Sequence, residues 1–85
     1  MKLSDLPNIG KVVEEQLHTV GVDTPEELAR LGSREAWLRI QRVDSSACIH
    51  RLLALEGAIQ GVKKTELPPE TRRQLKAFYE EHKIN

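Results

Sequence analysis

Apolar residues recur at intervals of three and four positions along nearly the whole 85-residue chain. This spacing places apolar side chains on one face of an α-helix, whereas a half-buried strand requires strict alternation. No segment combines sustained alternation with enrichment in β-branched residues. Glycines and prolines interrupt the pattern at short intervals, as is typical of helix ends. The sequence therefore predicts an all-α fold.

The interruptions divide the chain into five short helices. Gly21, Gly32 and Gly61 are placed to end helices, and the Leu67-Pro68-Pro69 segment is a stiff connector. The predicted helices span about residues 10–20, 24–31, 33–43, 46–60 and 69–82. A chain of this length forms one domain, so we predict a compact five-helix domain over residues 1–85.

Several residues near the interruptions are suited to cap helices. Thr24 can accept a hydrogen bond from the amide of Glu27, whose carboxylate can reach back, which forms a capping box. Ser33 is placed to cap the third helix, and the Asp-Ser-Ser segment 44–46 offers N-cap oxygens to the fourth. Gly57 lies inside the fourth helix, where glycine costs about 1 kcal/mol relative to alanine. We interpret Gly57 as a position where a neighbouring helix approaches closely.

The fourth helix is predicted to be the central, most buried one. It is apolar over more than half its circumference. Cys48 lies on its apolar stripe and is interpreted as a small core residue. Glu56 is expected either at the surface or paired with Arg39 or Arg42.

Composition restricts the function classes. The chain has 13 basic and 13 acidic residues and a formal net charge of zero, which argues against strong nonspecific nucleic-acid binding. The charge is uneven, however: residues 1–32 hold three basic and six acidic residues, and residues 33–64 hold six basic and three acidic. A single cysteine excludes an internal disulfide framework and suits a reducing cytoplasm. We expect a cytoplasmic protein without a membrane span, metal, cofactor or enzymatic activity.

The most specific local signal is the segment Leu6-Pro7-Asn8-Ile9-Gly10-Lys11, which has the form of a helix-hairpin-helix turn. Asn8 tolerates the positive φ of such a bend, Ile9 is an apolar anchor, and Gly10 leaves the backbone bare. The helix that follows presents free amides at its N-terminus, where Lys11 adds charge. These features predict a phosphate site. The alternative is a purely structural N-terminal turn.

Two features bear on this choice. Glu14 and Glu15 follow the turn closely and would repel a phosphate backbone. Basic residues of the middle segment could instead support binding: Arg34, Arg39, Arg42, Lys63 and Lys64. With Trp37 they could form a partly exposed basic and aromatic surface. The alternative is a solvated charged face with Trp37 in the core.

A wider set of residues resembles the C-terminal domain of the TfoX/Sxy family of bacterial competence regulators. The resemblance includes the hairpin segment and the later segments Gly21-Val22, Thr24-Pro25-Glu26-Glu27-Leu28, Leu31-Gly32, Glu35-Ala36, Leu53-Ala54-Leu55-Glu56-Gly57-Ala58-Ile59-Gln60-Gly61 and Leu67-Pro68. It implies a small helical domain of helix-hairpin-helix or SAM-like type. Full-length members carry an additional N-terminal domain, so we expect residues 1–85 to be a stand-alone copy.

The resemblance implies a regulatory module without an active site. Its expected partners are DNA, held weakly through backbone contacts, or a protein of the transcription machinery. The alternative is a protein interaction or homodimer domain that binds no nucleic acid.

Overall fold

Five α-helices form the domain, as the sequence predicts. The computed structural model describes residues 1–84, and within that range we find only helices, turns and connecting segments. The helices are α1 (Lys11–Thr19), α2 (Pro25–Leu31), α3 (Ser33–Val43), α4 (Ile49–Gln60) and α5 (Pro69–His82). Single 3-10 turns at Leu3–Asp5 and Lys64–Glu66 precede α1 and α5. The first helix of the hairpin is therefore only a single 3-10 turn, Leu3–Asp5.

The predicted Thr24 cap of α2 is confirmed, but the Glu27 carboxylate does not bond the Thr24 amide as a capping box requires. The Thr24 hydroxyl accepts a hydrogen bond of 3.1 Å from the amide of Glu27, and the Glu27 carboxylate reaches back to the Thr24 hydroxyl and the Asp23 amide. Gly21 and Gly61 take positive φ values of +87° and +76° after α1 and α4. Both adopt a conformation that other residues rarely take, and this explains why these helices end where they do.

Four sequence predictions about individual side chains are wrong. Gly32, not Ser33, is the N-cap of α3, because the buried Ser33 hydroxyl donates a 2.6 Å hydrogen bond to Glu56 Oε1. Glu56 is thereby bound to Ser33 instead of Arg39 or Arg42. Cys48 is the N-cap of α4 and only half-buried, and no side chain caps this helix. The Asp44 carboxylate accepts from the Ser46 amide within its own turn.

The core is aliphatic apart from one tryptophan, and α4 crosses its centre as predicted. Helix α4 packs against α2, α3 and α5. The fully buried large side chains are Trp37, Leu3, Leu17, Leu28, Ile40, Leu52, Leu55 and Leu75, with Val22 close to the same state. Trp37 contacts the rings of Phe78 and Tyr79 edge-on, at centroid distances of 6.3 and 5.5 Å. A surface containing an exposed Trp37 is therefore excluded.

Candidate nucleic-acid interface

The side chain of Asn8 fixes the hairpin turn to the C-terminal half of α4 and to the loop that follows this helix. Asn8 has a φ of +69°, the one non-glycine residue with positive φ in residues 1–84. Its Nδ2 donates to the carbonyl oxygens of Val62, at 3.0 Å, and Ala54, at 3.4 Å. Its Oδ1 accepts from the amide of Lys64 at 3.1 Å. The side chain thus stabilises a backbone conformation that costs other residues about 1–2 kcal/mol.

Gly57 makes room for this contact. A Cβ atom at Gly57 would lie 2.5 Å from Asn8 Nδ2, 2.7 Å from the Val62 carbonyl oxygen and 3.2 Å from the Lys64 amide nitrogen. The sequence prediction of a close approach is correct, but the approaching group is not a neighbouring helix. It is the Asn8 side chain together with the loop that follows α4.

Beyond Asn8, the turn presents an open helix N-terminus, as predicted. Ile9 is buried in the core, whereas Gly10 and Lys11 are exposed. Gly10 is the N-cap of α1, with no side chain bonded to the first turn, and a Cβ there would meet nothing within 4 Å. The first amide of α1 that has a backbone acceptor is that of Glu14, which donates to the Gly10 carbonyl. The amides of residues 11–13 have no acceptor within residues 1–84 and remain available to an anion.

A shallow depression of about 210 Å³ adjoins this turn, and we call it the hairpin groove. It is lined by Asn8, Val13, Cys48, His50, Arg51, Ala54 and Lys64. Lys64, Arg51 and His50 make this lining basic, and it includes no carboxylate. Sequence reasoning identified Lys64 but missed His50 and Arg51. Both lie in the first turn of α4. Basic residues are unfavourable at a helix N-terminus, so two of them there were the available signal of a role other than helix stability.

Arg51 is held in place by a small polar network. Its Nη1 donates to Gln16 Oε1 at 2.8 Å and to Asp44 Oδ2 at 3.3 Å. Gln16 Nε2 also donates to Asp44 Oδ2 at 2.8 Å. Hydrogen bonds from the Ser46 hydroxyl, and then from Gln16, hold the pKa of Asp44 well below its usual value. Asp44 therefore stays ionised in neutral solution and offsets part of the Arg51 charge.

The two acidic residues that follow the turn have different environments. Glu14 Oε2 accepts a 3.0 Å hydrogen bond from the amide of Ser4, so this carboxylate joins α1 to the first 3-10 turn. Glu15 is exposed. Glu14 thus has a structural role, which accounts for an acidic residue so close to an open helix N-terminus.

The structure brings together only some of the five supporting basic residues. Lys64 lies beside Asn8, and Lys63 precedes it, exposed. Arg39 and Arg42 share a different depression at the other end of α1. The guanidinium of Arg34 lies 5.8 Å from the centroid of the Phe78 ring, against α5. The predicted site residues therefore fall into separate regions of the surface.

Neither a metal cluster nor a membrane segment is found in the described part of the chain. No group of three or more histidine, cysteine or acidic side chains in residues 1–84 is placed to share a metal ion. No helix within that range is both long enough and apolar enough to cross a membrane.

A half-buried asparagine turn that leads into an open helix N-terminus, within five helices, defines a small all-α hairpin domain. Residues 1–79 match the family described as the TfoX C-terminal domain. The chain belongs to this family, as the sequence resemblance indicated.

Known proteins share both its sequence and its fold. The chain is 36% identical over 74 residues to Protein Sxy of Escherichia coli (strain K12), a match that covers 87% of this chain and 35% of Sxy. It thus spans about a third of the length of Sxy. Two crystal structures from Listeria monocytogenes have the same fold. One, in a triclinic form, has 48% identity and a TM-score of 0.94 over 95% of this chain and 92% of its own. The other, in a tetragonal form, has 49% identity and a TM-score of 0.91 over 93% and 96%.

Proposed function

We propose that this domain is a non-enzymatic regulatory module that binds DNA through the phosphate backbone at the N-terminus of α1. Membership of the TfoX C-terminal family and similarity to Sxy support a place in bacterial competence regulation, in the cytoplasm. The observation that carries the DNA proposal is the group of unbonded amides at residues 11–13 beside an open Gly10. Three such amides at the positive end of a helix suit a phosphate oxygen.

The surroundings of these amides favour the same ligand. Asn8 fixes the turn by three hydrogen bonds, so little conformational entropy is lost when a phosphate binds. Lys11 at the turn and Lys64 in the hairpin groove supply charge without needing a particular base sequence. Contacts of this kind position a protein on a duplex and do not distinguish sequences. We therefore expect weak binding that is indifferent to sequence.

Salt dependence tests the charge component. If Lys11 and Lys64 each neutralise one phosphate, affinity for a duplex should fall about 12-fold between about 50 and 200 mM salt. The measurement is fluorescence anisotropy of a labelled duplex with the purified domain. Absence of binding at the lower salt concentration would overturn the proposal.

A charge at the turn tests the location. Gly10→Glu places a carboxylate beside the free amides, and the open space around Gly10 accommodates it without a clash. We expect this variant to remain folded by circular dichroism and to lose duplex binding. The matched control is Gln74→Glu, which makes the same charge change at an exposed site on α5. Equal loss in both variants would indicate a general charge effect and would contradict a site at the hairpin.

A further inference from the structure

A second basic depression lies at the C-terminal end of α1. Two adjoining hollows, of about 210 and 430 Å³, share the side chain of Arg39. Together they are lined by Val20, Gly21, Val22, Glu27, Arg30, Leu31, Arg39, Arg42 and Val43. We call this surface the arginine groove. It joins the ends of α1, α2 and α3, and no residue of the hairpin groove lines it.

Arg39 separates the two hollows and is already occupied. Its Nη1 donates at 3.3 Å to the carbonyl oxygen of Val20, the residue that ends α1. Its Nε lies 3.5 Å from Glu35 Oε2, one turn earlier on α3. A cation at the C-terminal end of a helix stabilises the helix dipole. Arg39 therefore has a structural role between the two hollows, and its charge is partly offset by Glu35.

Arg30 and Arg42, by contrast, are cations without a partner. Both are exposed, and neither side chain makes an ion pair or hydrogen bond with any residue in 1–84. The one carboxylate that lines the groove, Glu27, accepts hydrogen bonds from the Asp23 amide and the Thr24 hydroxyl. Three arginines line the groove against this one carboxylate, so the lining has a formal excess of positive charge.

The floor between these cations is apolar. Val43 is 58% exposed, one of the few large apolar side chains at the surface. Val20 is half-buried in the same hollow as Val43, and Leu31 is half-buried in the hollow that Arg30 lines. A phosphate backbone gains nothing from an apolar floor, whereas a peptide that carries both carboxylates and apolar side chains complements both properties.

We propose that the arginine groove docks an acidic amphipathic segment of a partner protein, with carboxylates on Arg30 and Arg42 and apolar side chains on Val20, Leu31 and Val43. The nine residues of α1 place the groove about 13 Å from the hairpin turn at a rise of 1.5 Å per residue. The two proposed ligands therefore contact opposite ends of α1. This inference goes beyond the proposed function and does not depend on it.

A defined peptide pair tests the chemistry. The probe is a fluorescein-labelled, 12-residue amphipathic peptide with aspartates on one face and leucines on the other, and its control replaces every aspartate by asparagine. We expect the aspartate peptide to bind at least about tenfold more tightly, since complementary charges at a groove determine the choice of partner. Equal binding of the two peptides, or binding of neither, overturns the proposal.

Substitutions in the domain test the location. Arg30→Glu and Arg42→Glu should each weaken binding of the aspartate peptide at least about fivefold. Arg72→Glu, which reverses an exposed arginine on α5, is the matched control and should leave binding unchanged. Val43→Asn removes an exposed apolar contact without affecting the core, and it should also weaken binding. If only the arginine variants have an effect, simple charge attraction explains the binding and the amphipathic partner is wrong.

Two further measurements exclude other occupants. Sedimentation equilibrium of the unmodified domain, compared with Arg42→Glu, detects self-association through the groove. A dimer that Arg42→Glu dissociates would make a second copy the occupant and overturn the proposal. Duplex binding by Arg30→Glu and Arg42→Glu should equal that of the unmodified domain. Its loss would assign the groove to nucleic acid, whatever the outcome of the Gly10→Glu test.

Discussion

The two ends of α1 present basic surfaces of different construction. At the N-terminal end, the groups offered to a ligand are backbone amides, and Asn8 fixes them by hydrogen bonds to residues more than 45 positions away in sequence. At the C-terminal end, the free groups are the guanidinium heads of Arg30 and Arg42, which make no hydrogen bond or ion pair within residues 1–84. The first surface is rigid and the second adaptable.

This difference indicates how each surface recognises a ligand. A rigid set of amides fits one small group, such as a phosphate oxygen, wherever that group recurs along a polymer. Long flexible side chains around an apolar floor can adjust to segments of varied sequence, at a cost in side-chain entropy. Substitutions of Asn8 and Gly57 should therefore act mainly through folding, and substitutions in the arginine groove mainly through binding.

The largest expected effect comes from Gly57→Ala. The added methyl group would lie 2.5 Å from Asn8 Nδ2 and 2.7 Å from the Val62 carbonyl oxygen. We expect the free energy of unfolding to fall by about 3 kcal/mol, despite about 1 kcal/mol gained in helix propensity. Urea denaturation followed by circular dichroism measures the loss. Gly10→Ala is the matched control, because its methyl group enters open space, and it should cost at most about 1 kcal/mol, since alanine is a poorer N-cap than glycine.

A smaller loss is expected when the Asn8 side chain is removed. Asn8→Ala leaves the Val62 carbonyl and the Lys64 amide without their partner and also strains the positive φ, for a cost of about 2–3 kcal/mol. Asn8→Gly removes the same hydrogen bonds but tolerates the backbone conformation, so it should cost about 1 kcal/mol less. Thermal unfolding of both variants provides the comparison. If the two are equally unstable, the positive φ at this position is not strained and the hairpin end is less rigid than we infer.

The smallest effect concerns the Asp44 carboxylate, which holds Arg51 at the hairpin groove. The pKa of Asp44 is lower in the folded chain than its usual value of about 3.9, so ionised Asp44 stabilises the fold above that pH. This contribution is lost as the pH falls further. Between about pH 4 and 2, the free energy of unfolding should therefore fall more steeply for the unmodified domain than for Asp44→Asn.

Urea denaturation at several pH values measures this difference. Ser46→Ala, which removes the largest cause of the lowered pKa, should give an intermediate slope. Parallel slopes for all three proteins would contradict the role given to Asp44. Affinity of the arginine groove for the acidic peptide should not change in either variant, because neither residue lines that groove.

Much of the fold could be predicted because its signals are local. The apolar spacing, the Thr24 N-cap and the glycines after α1 and α4 each depend on residues within a few positions of one another, and the structure confirms them. The predictions for Ser33 and Glu56 were wrong for the opposite reason. These two side chains bind each other, and that contact depends on α3 and α4 coming together. Asp44 differs, because its carboxylate accepts from the Ser46 amide two residues away as well as from Gln16.

The same distinction between local signals and distant contacts applies to the candidate site. The sequence by itself determined the hairpin, because positive φ at Asn8 and a bare Gly10 are properties of those residue types in that order. Other features of the site depend on tertiary contacts. Asn8 is bonded to the end of α4, where Gly57 leaves room for it. Arg30 and Arg42 line one groove, whereas Arg34 lies against α5. Contacts between residues far apart in sequence depend on how the helices pack, and packing follows from the shape of the whole core.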